Sequence, residues 1–585
     1  MIDARSRLLR LLAVLFAFAL VAAACGGDDE ESAEDGTEAT DGGAQEGEDG
    51  GDDGDGGDNG AEGDGDEGVE EVIVDDPEET PVAGGTLRYG LEADVDGINP
   101  TASALSAPGL MMANAVFDTL ATYDENGVAV PHLAESFTPN EDGSVWTMTL
   151  REGVTFHDGT PLNAAAVIKN FEIQRSDPLV GLAVAPFYPE ENAAVEIDDL
   201  TVEFNLLEPN WYFPGALAGQ LGMTASPAWL DAALEDPTLD QQPVGTGPFV
   251  FDSRSEDSVT RFVRNDNYWK GEVYLDAVEF VPVTDPDTRA DLLLQGELNA
   301  LQTSSAGAIS VLTEEGNGIN NVLNDRSEES FAMINSAAPP FDDIRARQAL
   351  THATPQQNYV DLIGLGVLRA ANQPFTPESP YFNPDIEQLT DSPELAGPLV
   401  EEYCADVPDS CTDGKINMEL QWSGPSVEQT RIAELLDQGW SEFFNVTFQE
   451  LPQDQHIQEA ALGLYNVVTW RQFGAVDPWE DNVWLLCRTI GGISLNWPKF
   501  CDESRDAILL EAQATQDGDA RIPLYQELAQ KLNEDHLYIF FTHTLWDNAF
   551  HESVKGVCSH TTAEGITRIC SVNGRTWFDN IWISE

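Results

Sequence analysis

Three kinds of hydrophobic patterning follow one another along this chain. Leu11 to Ala24 is an unbroken apolar run. Gly26 to about Pro81 has almost no apolar position. From Gly84 onward, apolar residues recur with two distinct periods. Alternation in Gly84-Gly-Thr-Leu-Arg-Tyr-Gly-Leu91 and Trp146-Thr-Met-Thr-Leu150 predicts strands, and Val259–Val263 and Ala277–Val283 read the same way. Spacings of three and four predict helices at Pro161–Phe171, Pro286–Leu294, Ile344–Ala353, Ser426–Phe444, Asp502–Ala514 and Ile522–Leu532. Strands and helices mixed in this order imply α/β lobes, and no internal repeat is evident.

The first run is too short to span a bilayer, which takes about 20 residues. With Arg5, Arg7 and Arg10 before it, residues 1–25 read as an export signal. Its end, Val21-Ala-Ala-Ala-Cys25, resembles a bacterial lipobox, in which Cys25 becomes the acylated N-terminus; plain cleavage near Ala24 is the alternative. Residues 26–82, rich in Gly, Asp and Glu, cannot bury enough surface to offset chain entropy and read as a disordered acidic tether. No later stretch is apolar for long enough to cross a membrane.

Charge narrows the partners. The 585 residues carry 27 Lys+Arg against 104 Asp+Glu, a net charge of −77. Such a surface repels nucleic acid and anionic lipid headgroups, so membrane attachment rests on the lipid alone. Self-repulsion favours a monomer, and the acidity is also what a saline habitat would select. Beyond Cys25, six cysteines fall into local couples: Cys404–Cys411, Cys487–Cys501 and Cys558–Cys570. Disulfides suit an exported chain. No C-x-x-C occurs and the histidines lie apart, so neither a metal site nor a cofactor is expected.

Ordered blocks then carry a resemblance. They are Gly84-Gly-Thr-Leu-Arg88, Ile98-Asn-Pro100, Val116-Phe-Asp-Thr-Leu-Ala-Thr-Tyr-Asp124, Pro131-His-Leu-Ala-Glu-Ser-Phe137 and Trp146 through Pro161. Val244-Gly-Thr-Gly-Pro-Phe249, Arg264-Asn-Asp-Asn-Tyr-Trp-Lys-Gly271 and Pro340 through Leu350 complete the set. In this order they resemble the family 5 extracellular solute-binding proteins, which include the oligopeptide- and dipeptide-binding components of ABC importers. The resemblance implies a two-lobed, periplasmic-binding-protein-like α/β fold, with an extra domain on the first lobe and a hinge closing over a central cleft. Carried onto this chain, lobe I is 83–124 plus 224–327 plus 545–585, the extra domain is 125–223, and lobe II is 328–544. The blocks themselves read as frame: Thr160 caps a helix with Pro161 in its first turn, and Asp342, Asp343, Arg345 and Arg347 form a salt-bridged helix foot.

In the family the solute lies between the lobes, beside a segment resembling Tyr465-Asn-Val-Val-Thr-Trp-Arg-Gln-Phe-Gly-Ala-Val-Asp-Pro-Trp479. Peptide-binding members place an aspartate after the tryptophan, paired with the ligand's α-ammonium. Here that position is Phe473 counted from Trp470, or Gly474 counted back from Pro478. Neither is acidic, while Asp477 matches a structural position. A buried ammonium with no counter-charge would cost several kcal/mol. The candidate ligand-binding residues are therefore Trp470, Arg471, Phe473, Gly474, Trp422 and Trp479. Arg471 beside aromatic rings points to an anionic or hydroxyl-rich solute, such as a sugar-like compound or modified peptide. The plainer alternatives put Arg471 on the surface with a carboxylate and the tryptophans in a core.

The implied function is capture of a peptide or other small solute, and its delivery to ABC permease subunits, by a lipoprotein on the outer side of the cell membrane. A solute sensor or adhesin with the same fold is the alternative. An extracytoplasmic hydrolase is disfavoured, because neither a G-x-S-x-G elbow nor an H-E-x-x-H helix occurs.

Overall fold

In the computed structural model, which describes residues 79–584 apart from 96, 104, 326 and 327, the glycine-led alternation becomes strand Thr86–Leu91. The signal, Cys25 and most of the tether fall outside the described residues. Thr86–Leu91 is the middle strand of a seven-stranded sheet, with Ala277–Pro282 and Ala300–Thr303 parallel on either side. Antiparallel strands extend it: Val259–Arg264 and Phe249–Ser255 beyond one neighbour, Trp546–His551 and Ile319–Asn324 beyond the other.

A six-stranded sheet forms the second lobe around Glu329–Ile334, flanked by Val467–Gln472 and Tyr538–His543. Successive side chains of a strand point to opposite faces. Phe331 and Met333 therefore enter one core with Val468, Tyr538 and Phe540. Ala332 and Ile334 enter another with Val467, Ile539 and Phe541. Helices cover both faces, so these strands read as continuous apolar runs. A four-stranded antiparallel sheet, Ala134–Pro139, Val145–Leu150, Thr201–Asn205 and Ala194–Asp198, has its own core containing Trp146, Met148, Leu150, Phe156 and Phe204.

Three expected helices differ by more than one residue in their bounds, and the one expected at Ile522–Leu532 runs Gly518–Asp535. The helix expected from Pro161 begins at Ala164, and Asn163 caps it, accepting from the Ala166 amide at 3.0 Å. Pro161 instead pairs with Thr155 in an extended bridge, and Thr160 is held by Asp158 in the turn. The helix expected over Ser426–Phe444 runs Val427–Trp440 with Ser426 as cap; Phe444 opens strand Phe444–Leu451. At the helix foot Asp343 caps Ile344–Ala353, and Arg345 pairs with Asp343, Glu402 and Asp406. Cys404–Cys411, Cys487–Cys501 and Cys558–Cys570 are bonded.

The chain passes from the seven-stranded to the six-stranded sheet between Ile319–Asn324 and Glu329–Ile334. It returns between Tyr538–His543 and Trp546–His551. Few residues thus join the two sheets, the arrangement that permits hinge rotation.

The distinctive sequence blocks meet at a buried carboxylate. Asp118 accepts from Tyr268 Oη at 2.9 Å, Trp269 Nε1 at 2.7 Å and Thr246 Oγ1 at 3.1 Å, and bonds His132 Nε2 at 3.2 Å. Burial works against its charge, and the bonds from His132, Trp269 and Tyr268 outweigh that cost, holding its pKa below the ordinary value. Asp579 repeats the device nearby, pairing with Lys270, His560 and Arg568. Replacing Asp118 with Asn, which offers one acceptor oxygen in place of two, leaves buried donors unpaired. Thermal or denaturant unfolding of D118N should show a loss of about 3 kcal/mol; an unchanged midpoint would refute the keystone role.

Candidate functional site

The strand Val467–Gln472 brings Trp470 and Arg471 to a cavity of about 960 Å³ between the lobes. The three larger sheets all contribute to its wall, with Ser304 following one, Phe187 and Glu208 beside another, and Ser330 on the third. Just past the strand, Phe473 adopts φ +68°, the left-handed region that residues with a Cβ avoid. Its ring turns into the lobe core, 5.7 Å from Phe331 and 5.0 Å from Tyr538 between centroids. At Gly474 any side chain would collide with Asn573, whose Nδ2 donates to the Gly474 carbonyl at 2.5 Å. Neither position presents a side-chain oxygen to the cavity.

Arg471 reaches across the cleft. Its Nη2 lies 3.1 Å from Glu92 Oε1, its Nη1 donates to Ser304 Oγ, and its guanidinium sits 4.8 Å over the Trp546 ring. Glu92, Ser304 and Trp546 all follow or belong to the seven-stranded sheet. Burial opposes the charge of Arg471; Glu92, Glu328 and Glu428 overcome it and keep the group cationic. Arg471 is thus at once a wall residue and a carboxylate's partner.

Trp479 is buried, and it lines the cavity with an indole Nε1 that has no partner among the described residues. Asp477 binds Arg521 through both oxygens, at 2.7 and 2.5 Å, and caps the turn at Trp479. Trp422 lies away from the cavity wall, in the second-lobe core, 5.5 Å from the Phe448 ring. Trp470, Arg471, Phe473, Gly474 and Trp479 are therefore brought together, and Trp422 is not.

Sequence reasoning missed the acids of this wall. Glu92, Glu328, Glu428, Glu480 and Asp481 come from four separate segments. Only Glu480 and Asp481, directly after Pro478-Trp479, were adjacent to a segment already singled out. Glu328 accepts from Trp546 Nε1 at 2.8 Å, and Glu480 accepts from Tyr123 Oη at 2.5 Å, a second bond across the cleft. Burial pushes Glu480 up to about 7, with Asp477 adding to the shift, and burial likewise raises Asp481.

With this geometry in hand, comparison with known proteins is direct. Residues 128–490 match the family model for bacterial extracellular solute-binding proteins, family 5 Middle. Di/tripeptide-binding protein 2 of Pseudomonas aeruginosa (strain UCBPP-PA14) is 26% identical over 500 residues, covering 80% of this chain and 92% of that one. Among solved structures, an ABC transporter-associated periplasmic binding protein of Helicobacter pylori in complex with peptide STSA superposes with TM-score 0.75 at 20% identity. That match covers 86% of this chain and 99% of the other. A binding protein of A. tumefaciens R10 in complex with agropinic acid gives TM-score 0.74 at 21% identity, covering 86% and 99%.

Glu480 makes stability depend on pH in a defined direction. Folding raises its pKa from 4.5 to about 7, so between those values the folded chain holds a proton that the unfolded chain has released. This contribution is complete below pH 4.5, falls as pH rises, and is gone above 7. Melting curves of the wild type and E480Q should therefore differ in slope across that window, the wild type losing more stability. Parallel curves would show that Glu480 is not buried as described.

Proposed function

Because the chain belongs to the bacterial extracellular solute-binding proteins of family 5, we propose that it captures a small solute between its two lobes and delivers it to an ABC permease in the cell membrane. It is a binding protein, not an enzyme, and works outside the cytoplasm. The observation that carries this reading is the interlobe cavity, walled by residues of the three larger sheets and crossed by the Arg471–Glu92 contact. A solute there touches both lobes only when they are together, so binding shifts the population toward the shut form. The division into 83–124, 224–327 and 545–585 for lobe I, 125–223 for the extra domain and 328–544 for lobe II follows the same reading. The strands of the three sheets fall within those limits. The lipid on Cys25 would hold the protein at the membrane.

The relatives bind different solutes by name: di- or tripeptides, the peptide STSA and agropinic acid. The family therefore leaves the solute open, and the cavity has to decide. An ammonium at the position used by peptide binders would face the Phe473–Gly474 backbone, where the Asp481 carboxyl, close by in sequence, is already bonded to the Ala475 backbone and raised in pKa by burial. A peptide or modified peptide held another way, or a sugar-like compound meeting Arg471, fits better.

Native mass spectrometry of the purified protein should reveal a retained solute. X-ray scattering should show a smaller radius of gyration with that solute than after its removal. R471M, lacking the cation that spans the cleft, should bind at least tenfold more weakly, since truncating one partner of such a pair costs about 2 kcal/mol or more. A chain that retains nothing and never contracts would end the proposal. Separately, C25S should move the protein from the membrane fraction to the soluble fraction; unchanged membrane association would exclude the lipid anchor.

A further inference from the structure

We infer that one end of this cavity is an aromatic chamber that selects a solute carrying a planar ring with a hydrogen-bonding edge; the inference rests on the solute-binding reading above. Three indoles meet there. Trp470 and Trp497 stand edge to face with centroids 4.4 Å apart, and Trp484 lies 5.1 Å from Trp497. The imidazole of His456 tilts over Trp470 at 4.9 Å. All four line the cavity, where Trp470 and Trp484 remain partly exposed. Phe187, from beside the four-stranded sheet, packs on the same cluster and also lines the cavity, so both sides of the cleft supply apolar surface.

Trp229 and Trp422 also keep indole nitrogens in the cores that are unpaired among the described residues, and what sets the chamber apart is that its unpaired polar atoms belong to residues of the cavity wall. Trp497 is 6% exposed, yet its Nε1 has no partner among the described residues. A buried N–H left unpaired is costly, and native cores rarely keep one. Burial lowers the pKa of His456 to about 4, so the ring is neutral near pH 7. It bonds the Thr469 backbone while its Nδ1 has no partner among the described residues. One ring nitrogen of a neutral imidazole carries the proton and the other accepts, so a ring that donates to Thr469 leaves Nδ1 as an acceptor. The chamber therefore offers one donor and one acceptor between aromatic faces, beside the Asp481 carboxyl, which bonds Trp484 and whose pKa burial raises.

The other end is its opposite. Arg471, Glu92, Glu328 and Glu428 concentrate charge around Ser304 and Trp546. A cavity of about 960 Å³ lies at the upper end of the usual range for small-molecule sites, about 300–1,000 Å³. It has room for a solute with a polar end and a ring-bearing end together. A phenol edge, which can accept from Trp497 and donate to His456, matches the chamber; a saturated side chain fills it without satisfying either atom.

The test uses the tripeptides Gly-Leu-Gly, Gly-Phe-Gly and Gly-Tyr-Gly, each free and N-acetylated, titrated calorimetrically against the purified protein. Alongside, any retained solute is identified by native mass spectrometry. Phe should bind up to tenfold tighter than Leu, from ring contacts beyond area burial. Tyr should gain about a further fivefold from the hydrogen-bonding edge. W497F keeps a ring and loses the N–H but leaves the His456 acceptor, so it should shrink the Tyr advantage and retain the preference for Phe over Leu; W422F, away from the cavity, should change neither. Equal affinities, a preference for Leu, or a retained solute without a ring would overturn the chamber while leaving solute capture standing. If no tripeptide binds, a retained solute with a ring supports the chamber. If nothing is bound or retained at all, the solute-binding reading falls and takes this inference with it.

Discussion

The first lobe and its neighbouring domain are organised around one buried negative charge. Asp118 stands at the end of a run of apolar residues, and an unpaired carboxylate there would be intolerable. It is tolerated because His132, Thr246, Tyr268 and Trp269, from three other sequence blocks, supply its hydrogen bonds. Each block is thereby fixed in position relative to the others. The constraint extends to glycines: a Cβ at Gly245 or Gly247 would run into the Val116 backbone, so the segment carrying Thr246 can approach Asp118 only without side chains on either side. Lys270, the residue after Trp269, then ties this frame to Asp579 and the C-terminal segment. The sequence features that identify the family are in this way explained by folding and not by solute contact.

On that frame the two lobes meet through polar contacts. Arg471 reaches Glu92 and Ser304, Tyr123 reaches Glu480, and Arg488 pairs with Glu208 at 2.6 Å. Asn573 also reaches Gly474, Arg369 reaches Asp325 and Gln513 reaches Pro209, and such polar contacts suit a hinge that must open, because water can replace each as the lobes part. The strongly negative chain makes them more informative still. With 27 basic residues in 585, placing Arg471 and Arg575 in the wall of one cavity uses a scarce group where several acids converge.

What was legible in the sequence follows physical range. Thr86–Leu91 and Val145–Leu150 were visible because one face of each alternates against a single core. Glu329–Ile334 and Tyr538–His543 were not, because both faces are buried and alternation vanishes. The helix start at Asn163 escaped notice because Thr160-Pro161 has the composition of a cap while its backbone is committed to pairing with Thr155. In the cavity, Trp470, Arg471 and Trp479 could be found because they share one segment. Glu92, Glu328 and Glu428 could not, since only the tertiary fold brings them near Arg471. Trp422 belongs to a strand whose pleat sends its ring into a core, a choice of face that composition does not reveal.

Phe473 shows how local backbone geometry steers a side chain. Just past Trp470 and Arg471 the chain places a ring and turns it into the lobe core by a left-handed backbone, gaining contacts with Phe331 and Tyr538. The strain of that conformation, of order 1–2 kcal/mol, is offset by burial of an aromatic side chain, worth about 1.5–3 kcal/mol. The consequence is a stiff wall behind the cavity, and behind Trp470 in particular, whose strand is pinned at its end. Aromatic rings at Trp470, Trp484 and Trp497 and charged groups at Arg471, Glu92 and Glu328 thus share the wall of one cavity, although only Trp470 and Arg471 are neighbours in sequence.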